Sequence, residues 1–219
     1  MHAVYSFVTG PLAWLAFLIF ILGTIGKLLH FYYLSKNKDP DVIRYFSLKY
    51  SLRSFGHWLL PFGTASWQKD PLLTVVTFVF HICLILVPIF LSAHVIMWQL
   101  SWGISYWSLP NAVADTMTVL VLICCVYFAL RRLLLPTVRF VTSLQDWLVL
   151  VIVFLTFLTG FLAYHQILHY PSMIVLHVLS AEVLLAMLPF TRLTHAFYGP
   201  ILRGYIGSEF GSIRKARDW

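Results

Sequence analysis

Five stretches of this chain are too long and too apolar to be dissolved in water: about 4–34, 73–100, 112–134, 146–168 and 172–198. A helix rises about 1.5 Å per residue, so about 20 mostly apolar residues cross the roughly 30 Å of hydrocarbon in a bilayer. At that depth the backbone has no water to bond to, and a spanning segment must close its hydrogen bonds within itself as a helix. The sequence therefore predicts an all-α membrane protein, five transmembrane helices in an up-and-down bundle, folded as one integral-membrane domain over 1–219. Composition agrees: the chain is 60% hydrophobic and 11% charged, against about 45–50% and about 25% in ordinary soluble domains. Cys83, Cys124 and Cys125 all lie inside apolar stretches, with no CxxC or CxxCH. A disulfide framework, a zinc site and covalently attached haem are not indicated, and the thiols read as small packing groups. The first stretch has no basic region ahead of it and is longer than a signal-peptide core. It is expected to remain as a membrane anchor.

Basic residues set the orientation. Lys36, Lys38, Arg44, Lys49, Arg53 and Lys69 separate the first two stretches, Arg131, Arg132 and Arg139 the third and fourth, and Arg203, Arg214, Lys215 and Arg217 follow the fifth. The connections 99–111 and 169–172 contain no Lys or Arg. The positive-inside rule then puts the N-terminus outside and the C-terminus in the cytoplasm, with 199–219 as a cytoplasmic tail. The outer connection WQLSWGISYWSLP is rich in Trp and Tyr, as expected at headgroup level. The net charge of +7 is spread between spans rather than along one soluble face, so it does not point to nucleic acid. The segment 37–70 mixes bases with aromatics at helical spacing and reads as an amphipathic helix lying in the interface or as a plain cytoplasmic loop. The short turn at Tyr170-Pro171 makes the last two spans antiparallel neighbours, and Pro88 is expected to kink the second.

Histidines carry the chemistry. His81 and His94 lie in the second stretch, and His177 and His195 in the fifth. A strongly polar side chain at membrane depth needs a partner and reads as a functional site. His177 and His195 are 18 residues apart, about five whole turns on a straight helix, so both rings would leave one face. His81 and His94 are 13 apart, and on a straight helix their directions differ by roughly 140°. A kink at Pro88 is needed to bring them round. Because the two helices run in opposite directions, His81 and His195 share the cytoplasmic level, and His94 and His177 the outer level. Two bis-histidine haems b follow, one near each face, and polar packing residues are the alternative. His165 and His169, an i, i+4 pair, are candidates for a metal, for proton acceptance from a quinol, or for plain hydration. Glu182 is either a proton-handling group or a locally bonded carboxyl. Arg131, Arg132 and Arg192 are placed to pair with haem propionates or to act as interfacial anchors, and His30 and His57 are expected to be solvated.

The stretch LHVLSAEVLLAMLPFTRLTHAF, with Phe80-His81-Ile82 and RLLLPTVRFVTSLQDWL, resembles the gamma (cytochrome b) subunit of respiratory nitrate reductase. The wider His81–His94 spacing, with ADTMT at Ala114–Thr118 and FLTGFLAYH at Phe157–His165, is more similar to a neighbouring branch. That branch comprises the cytochrome b subunits of transmembrane redox complexes in sulfate reducers. The resemblance implies a multi-pass protein of the prokaryotic inner (plasma) membrane, with His81 and His195 on the inner haem and His94 and His177 on the outer one. It also implies a cytoplasmic iron–sulfur subunit as partner, other membrane subunits, a periplasmic multihaem cytochrome c, and menaquinone as a further candidate ligand. The expected activity is electron transfer between a periplasmic donor or the quinone pool and the iron–sulfur subunit. The rival is a haem-free proton- or ion-conducting subunit that uses the intramembrane histidines and Glu182.

Overall fold

A computed structural model of the protein describes residues 2–39 and 41–219. Five helices are long and apolar enough to cross a membrane: His2–Lys38, Pro71–Phe90, Asn111–Leu134, Leu144–Tyr164 and Tyr170–Phe190. Among the described residues there is no strand. The spans leave large apolar side chains such as Trp14 (67%) and Leu22 (59%) exposed, which only lipid can cover. The chain is a multi-pass membrane protein.

Three expected boundaries change. The stretch 73–100 is not one helix. It ends at Phe90, and a second helix, Ser92–Trp102, begins after an extended residue at Leu91 (φ −63°, ψ 131°). The stretch 172–198 is likewise broken: the α-helix Tyr170–Met187 passes into a 3₁₀ turn at Leu188–Phe190, Thr191 is extended, and a new helix, His195–Ser208, starts at the histidine. Pro189 offers no amide to the preceding turn, which is why the α-helix stops there. The residues after 198 are no loose tail but continue this terminal helix, followed by a π turn at Glu209–Ile213. The polar segment between the first two spans is helical rather than a plain loop, and its main piece is Leu48–Leu59, called the linker helix below.

The chain divides into two compact units. The first consists chiefly of Val76–Leu184. Its core joins Cys83 and Val87 of the second span, Val121 and Cys125 of the third, and Val153 and Phe157 of the fourth. The cysteines are packing groups here, as expected. Ser143 and Asp146 form a capping box that starts the fourth span, satisfying amides that a helix start leaves open. The turn into the fifth span is tight because Gln166 and Leu168 take left-handed backbone angles, and Pro171 stands in the first turn of the following helix, where no amide is missed.

The second unit holds Gly10–Val75 and Leu185–Trp219. Here the linker helix turns Ser51 and Ser54, both buried, toward Gly204 and Gly207, and lays Tyr50 and Arg53 against Gly211. Ser51 Oγ donates to the Gly204 carbonyl at 2.8 Å, and the Ser47 amide donates to Ser208 Oγ at 3.0 Å. A Cβ on Gly207 would strike Ser54 and the Tyr50 carbonyl. Small residues thus let two backbones approach closely enough for hydroxyl–carbonyl bonds. The terminal residues fold over this contact. Asp218 pairs with Arg203 (2.8 Å) and also accepts from Ser54. Trp219 stacks on His57 (centroids 4.0 Å, planes 13°), so His57 is a packing group rather than a merely solvated one. The first span joins the same unit where Gly23 leaves room for Pro189 and Phe190 and where Phe31 stacks on Tyr198 (5.0 Å).

Candidate functional site

The break at Leu91 builds the first half of the site. In an uninterrupted helix the carbonyls of Pro88, Ile89 and Phe90 would accept from the amides four residues on. With Leu91 extended they lose those donors, and each finds another. Pro88 O lies 2.8 Å from His94 Nδ1, Ile89 O accepts from the Tyr106 hydroxyl at 2.8 Å, and Phe90 O accepts from the Leu109 amide at 2.8 Å. The kink expected at Pro88 therefore falls three residues later, and Pro88 stays helical. It is this extended residue that turns His94 out of the direction an ideal helix would give it.

The second half is His177. Its ring lies against Gly160 of the fourth span, so closely that a Cβ there would sit 2.8 Å from Cε1 and 2.9 Å from Nδ1. The missing side chain exposes the Thr156 carbonyl one turn earlier, which is 2.9 Å from His177 Nδ1. The two imidazoles meet with centroids 6.0 Å apart and planes within 9°. A metal–imidazole nitrogen bond is about 2 Å long. Two such bonds together with the two half-rings would come to about the separation seen.

His81 belongs to the first unit and His195 to the second. His81 Nδ1 lies 2.8 Å from the Thr77 carbonyl, and His195 Nδ1 lies 2.7 Å from the Arg192 carbonyl. All four histidines singled out in the sequence thus place Nδ1 against a main-chain oxygen. That contact assigns the Nδ1–H tautomer to each ring, and in His94 and His177 it leaves the Nε2 lone pair as the donor, the arrangement usual for metal-ligating histidine. The five-turn argument for His177 and His195 does not hold, because the helix between them is broken at Pro189–Thr194.

His165 and His169 do not converge. His165 Nε2 faces Asp115 Oδ1 at 3.1 Å, and His169 Nδ1 meets the Ser172 hydroxyl at 2.9 Å. Asp115 is the residue the sequence reading missed. An acidic side chain five positions into a membrane span was the available signal. Asp115 and His165 line a cleft of about 340 Å³ together with Thr116, Val119, Leu120 and Phe161. Glu182 is buried in the fifth span, and neither carboxyl oxygen has a hydrogen-bond partner. Arg132 Nη1 donates to the Phe128 carbonyl at 3.1 Å near the end of the third span, next to Arg131. Arg192 stands in the break that follows the fifth span. Among the described residues no group of three or more His, Cys, Asp or Glu side chains forms a cage for a bare metal ion.

No family model matches the chain, and no solved structure matches it. A protein of Nitratidesulfovibrio vulgaris (strain Hildenborough), described only as "Protein", is 36% identical over 215 residues, which cover 96% of this chain and 95% of the relative. Similarity of that extent spans all five membrane helices and both units, and the chain belongs to the same family as this N. vulgaris protein.

Proposed function

We propose that the chain is the dihaem b membrane subunit of a respiratory redox complex in a prokaryotic inner membrane. It carries electrons between a periplasmic donor or the quinone pool and a cytoplasmic iron–sulfur subunit. The observation that carries this reading is the pair of His94 and His177, with planes 9° apart and centroids 6.0 Å apart. The donor set fits a bis-imidazole haem: both Nδ1 atoms are engaged by carbonyls, and both Nε2 atoms remain for iron. In this reading His94 and His177 hold the outer haem, and His81 and His195 the inner one, each ring fixed in tautomer and direction by its own carbonyl. Haem iron supplies one-electron oxidation and reduction.

The remaining residues take supporting roles. Arg131, Arg132 and Arg192 neutralise propionates. The basic connections lie in the cytoplasm, with the N-terminus outside, and dock an acidic partner subunit. The cleft lined by Asp115 and His165 is mostly apolar, and is the place a menaquinone head would enter. The rival, a haem-free proton or ion conductor, is favoured by one observation: the two unpaired carboxyl oxygens of Glu182. The reduced-minus-oxidised visible spectrum of the purified chain separates the two. A b-type α band, with two haems per chain, supports the dihaem reading. Its absence overturns that reading and leaves the conductor. His81→Ala and His195→Ala should empty the same site, and loss of different haems from the two variants would refute the inner pairing.

A further inference from the structure

Tyr106 lies in the connection after the second span and touches neither imidazole, yet its hydroxyl occupies a decisive place. A helix closed across Leu91 would pair the Pro88 carbonyl with the Ser92 amide, Ile89 with Ala93, and Phe90 with His94. His94 Nδ1 and the Ser92 amide therefore compete for one oxygen, that of Pro88. The open form wins only while the neighbouring carbonyls have other donors, and those donors are the Tyr106 hydroxyl on Ile89 and the Leu109 amide on Phe90. The same strap is pressed onto the break by ring contacts from Phe90 to Tyr106 (6.0 Å) and to Trp107 (5.7 Å).

We propose that Tyr106 is a positioning residue for the outer haem: by taking the Ile89 carbonyl it keeps the second span open at Leu91, and so keeps the Pro88 carbonyl on His94. This rests on the dihaem reading. Removing the hydroxyl leaves the exposed Ile89 carbonyl without its donor, and a backbone acceptor that faces lipid with no donor is costly. The nearest replacement is the Ala93 amide, reached by returning Leu91 to helical angles. That closure hands Pro88 O to Ser92 and leaves the His94 ring without its tether. An imidazole that loses its N–H···O=C bond donates less charge to iron, so the ferric state is less favoured and the potential of that haem rises.

The test uses the full chain in lipid nanodiscs, with haem content and separate midpoint potentials read by redox titration. Tyr106→Phe should shift the potential of one haem upward, the one lost in His177→Ala, and leave the other haem's potential and content unchanged. A second substitution separates this mechanism from general damage. Ser92 is the first residue of its helix, where proline is tolerated, and Leu91 already has the angles preferred before a proline. Ser92→Pro removes the competing amide, so Tyr106→Phe with Ser92→Pro should return the outer potential to its original value. Unchanged potentials in Tyr106→Phe would overturn the positioning role while leaving the haem reading intact. A shift that Ser92→Pro fails to reverse would overturn the closure mechanism. A parent protein without haem would remove the reading beneath both.

Discussion

The second and fifth spans are both interrupted, and both interruptions place a histidine Nδ1 on a carbonyl, but they are held open by different means. At Leu91 two of the three freed carbonyls are taken by Tyr106 and Leu109, residues reached through a separate connection. At Pro189–Thr194 the satisfaction is local. The Thr191 amide and hydroxyl both reach Met187 O, Thr191 Oγ1 accepts from the Leu193 amide, and Thr194 Oγ1 donates to Thr191 O. Proline removes one donor in either case. What decides where a helix stops is which groups are available to replace the lost bonds. A break supplied by its own threonines is carried by a few consecutive residues, whereas a break supplied from afar depends on the fold around it.

Substitutions at the two breaks should therefore have different reach. On the dihaem proposal, the largest effect is expected from His94→Ala and His177→Ala, each of which should remove the same one of the two proposed haems, measured as haem per chain. Loss of different haems would dissolve the pair on which the first break is read. Gly160→Ala comes next. The added Cβ meets the His177 ring at 2.8 and 2.9 Å, and such overpacking typically costs about 1–3 kcal/mol. Thermal release of the outer haem should come earlier, with the inner haem unaffected. Thr191→Ala removes a cap and should cost about 1 kcal/mol. Because its bonds are local, the loss should appear in the melting of the whole chain and not in the spectrum of the outer haem. The smallest effect lies in the terminal helix launched by the second break. Burial first, then the Asp39 and Glu209 carboxylates, pushes the Tyr205 hydroxyl above the ordinary tyrosine range. A proton held more tightly in the folded chain than in the unfolded one stabilises the fold below a pH of about 10. That contribution is lost as pH rises through the higher folded value. Stability against pH should stay level through neutrality and fall in the alkaline range, and Tyr205→Phe should soften the fall.

The spans were legible because hydropathy over about 20 residues is a strong signal that lipid enforces. His81 and His177 lie within the span helices, as hydropathy placed them, whereas His94 and His195 fall in the helices that follow the two breaks. The directions of these histidines were not legible. Helical periodicity suggested that His177 and His195 shared one face, and it was the Pro-Phe-Thr run between them, visible in the sequence, that ended the helix. For His94 the need for a bend was readable from the 13-residue spacing, but its place at Leu91 was not, since Tyr106 and Leu109 act through space. Gly160 was passed over because a glycine inside an apolar run looks like any other small residue until a ring is found lying on it. Asp115 was overlooked because its partner, His165, is 50 positions away. The serine face of the linker helix escaped notice for a related reason: bases and aromatics dominate its pattern, while Ser51 and Ser54 make the contact.

The oxygens that orient His81, His94, His177 and His195 all belong to peptide bonds. No exchange of one side chain for another can delete such an acceptor, so drift at neighbouring positions leaves the rings aimed as long as the chain keeps its course. Proline and glycine replacements near these four places should consequently be tolerated far less than changes in size or polarity.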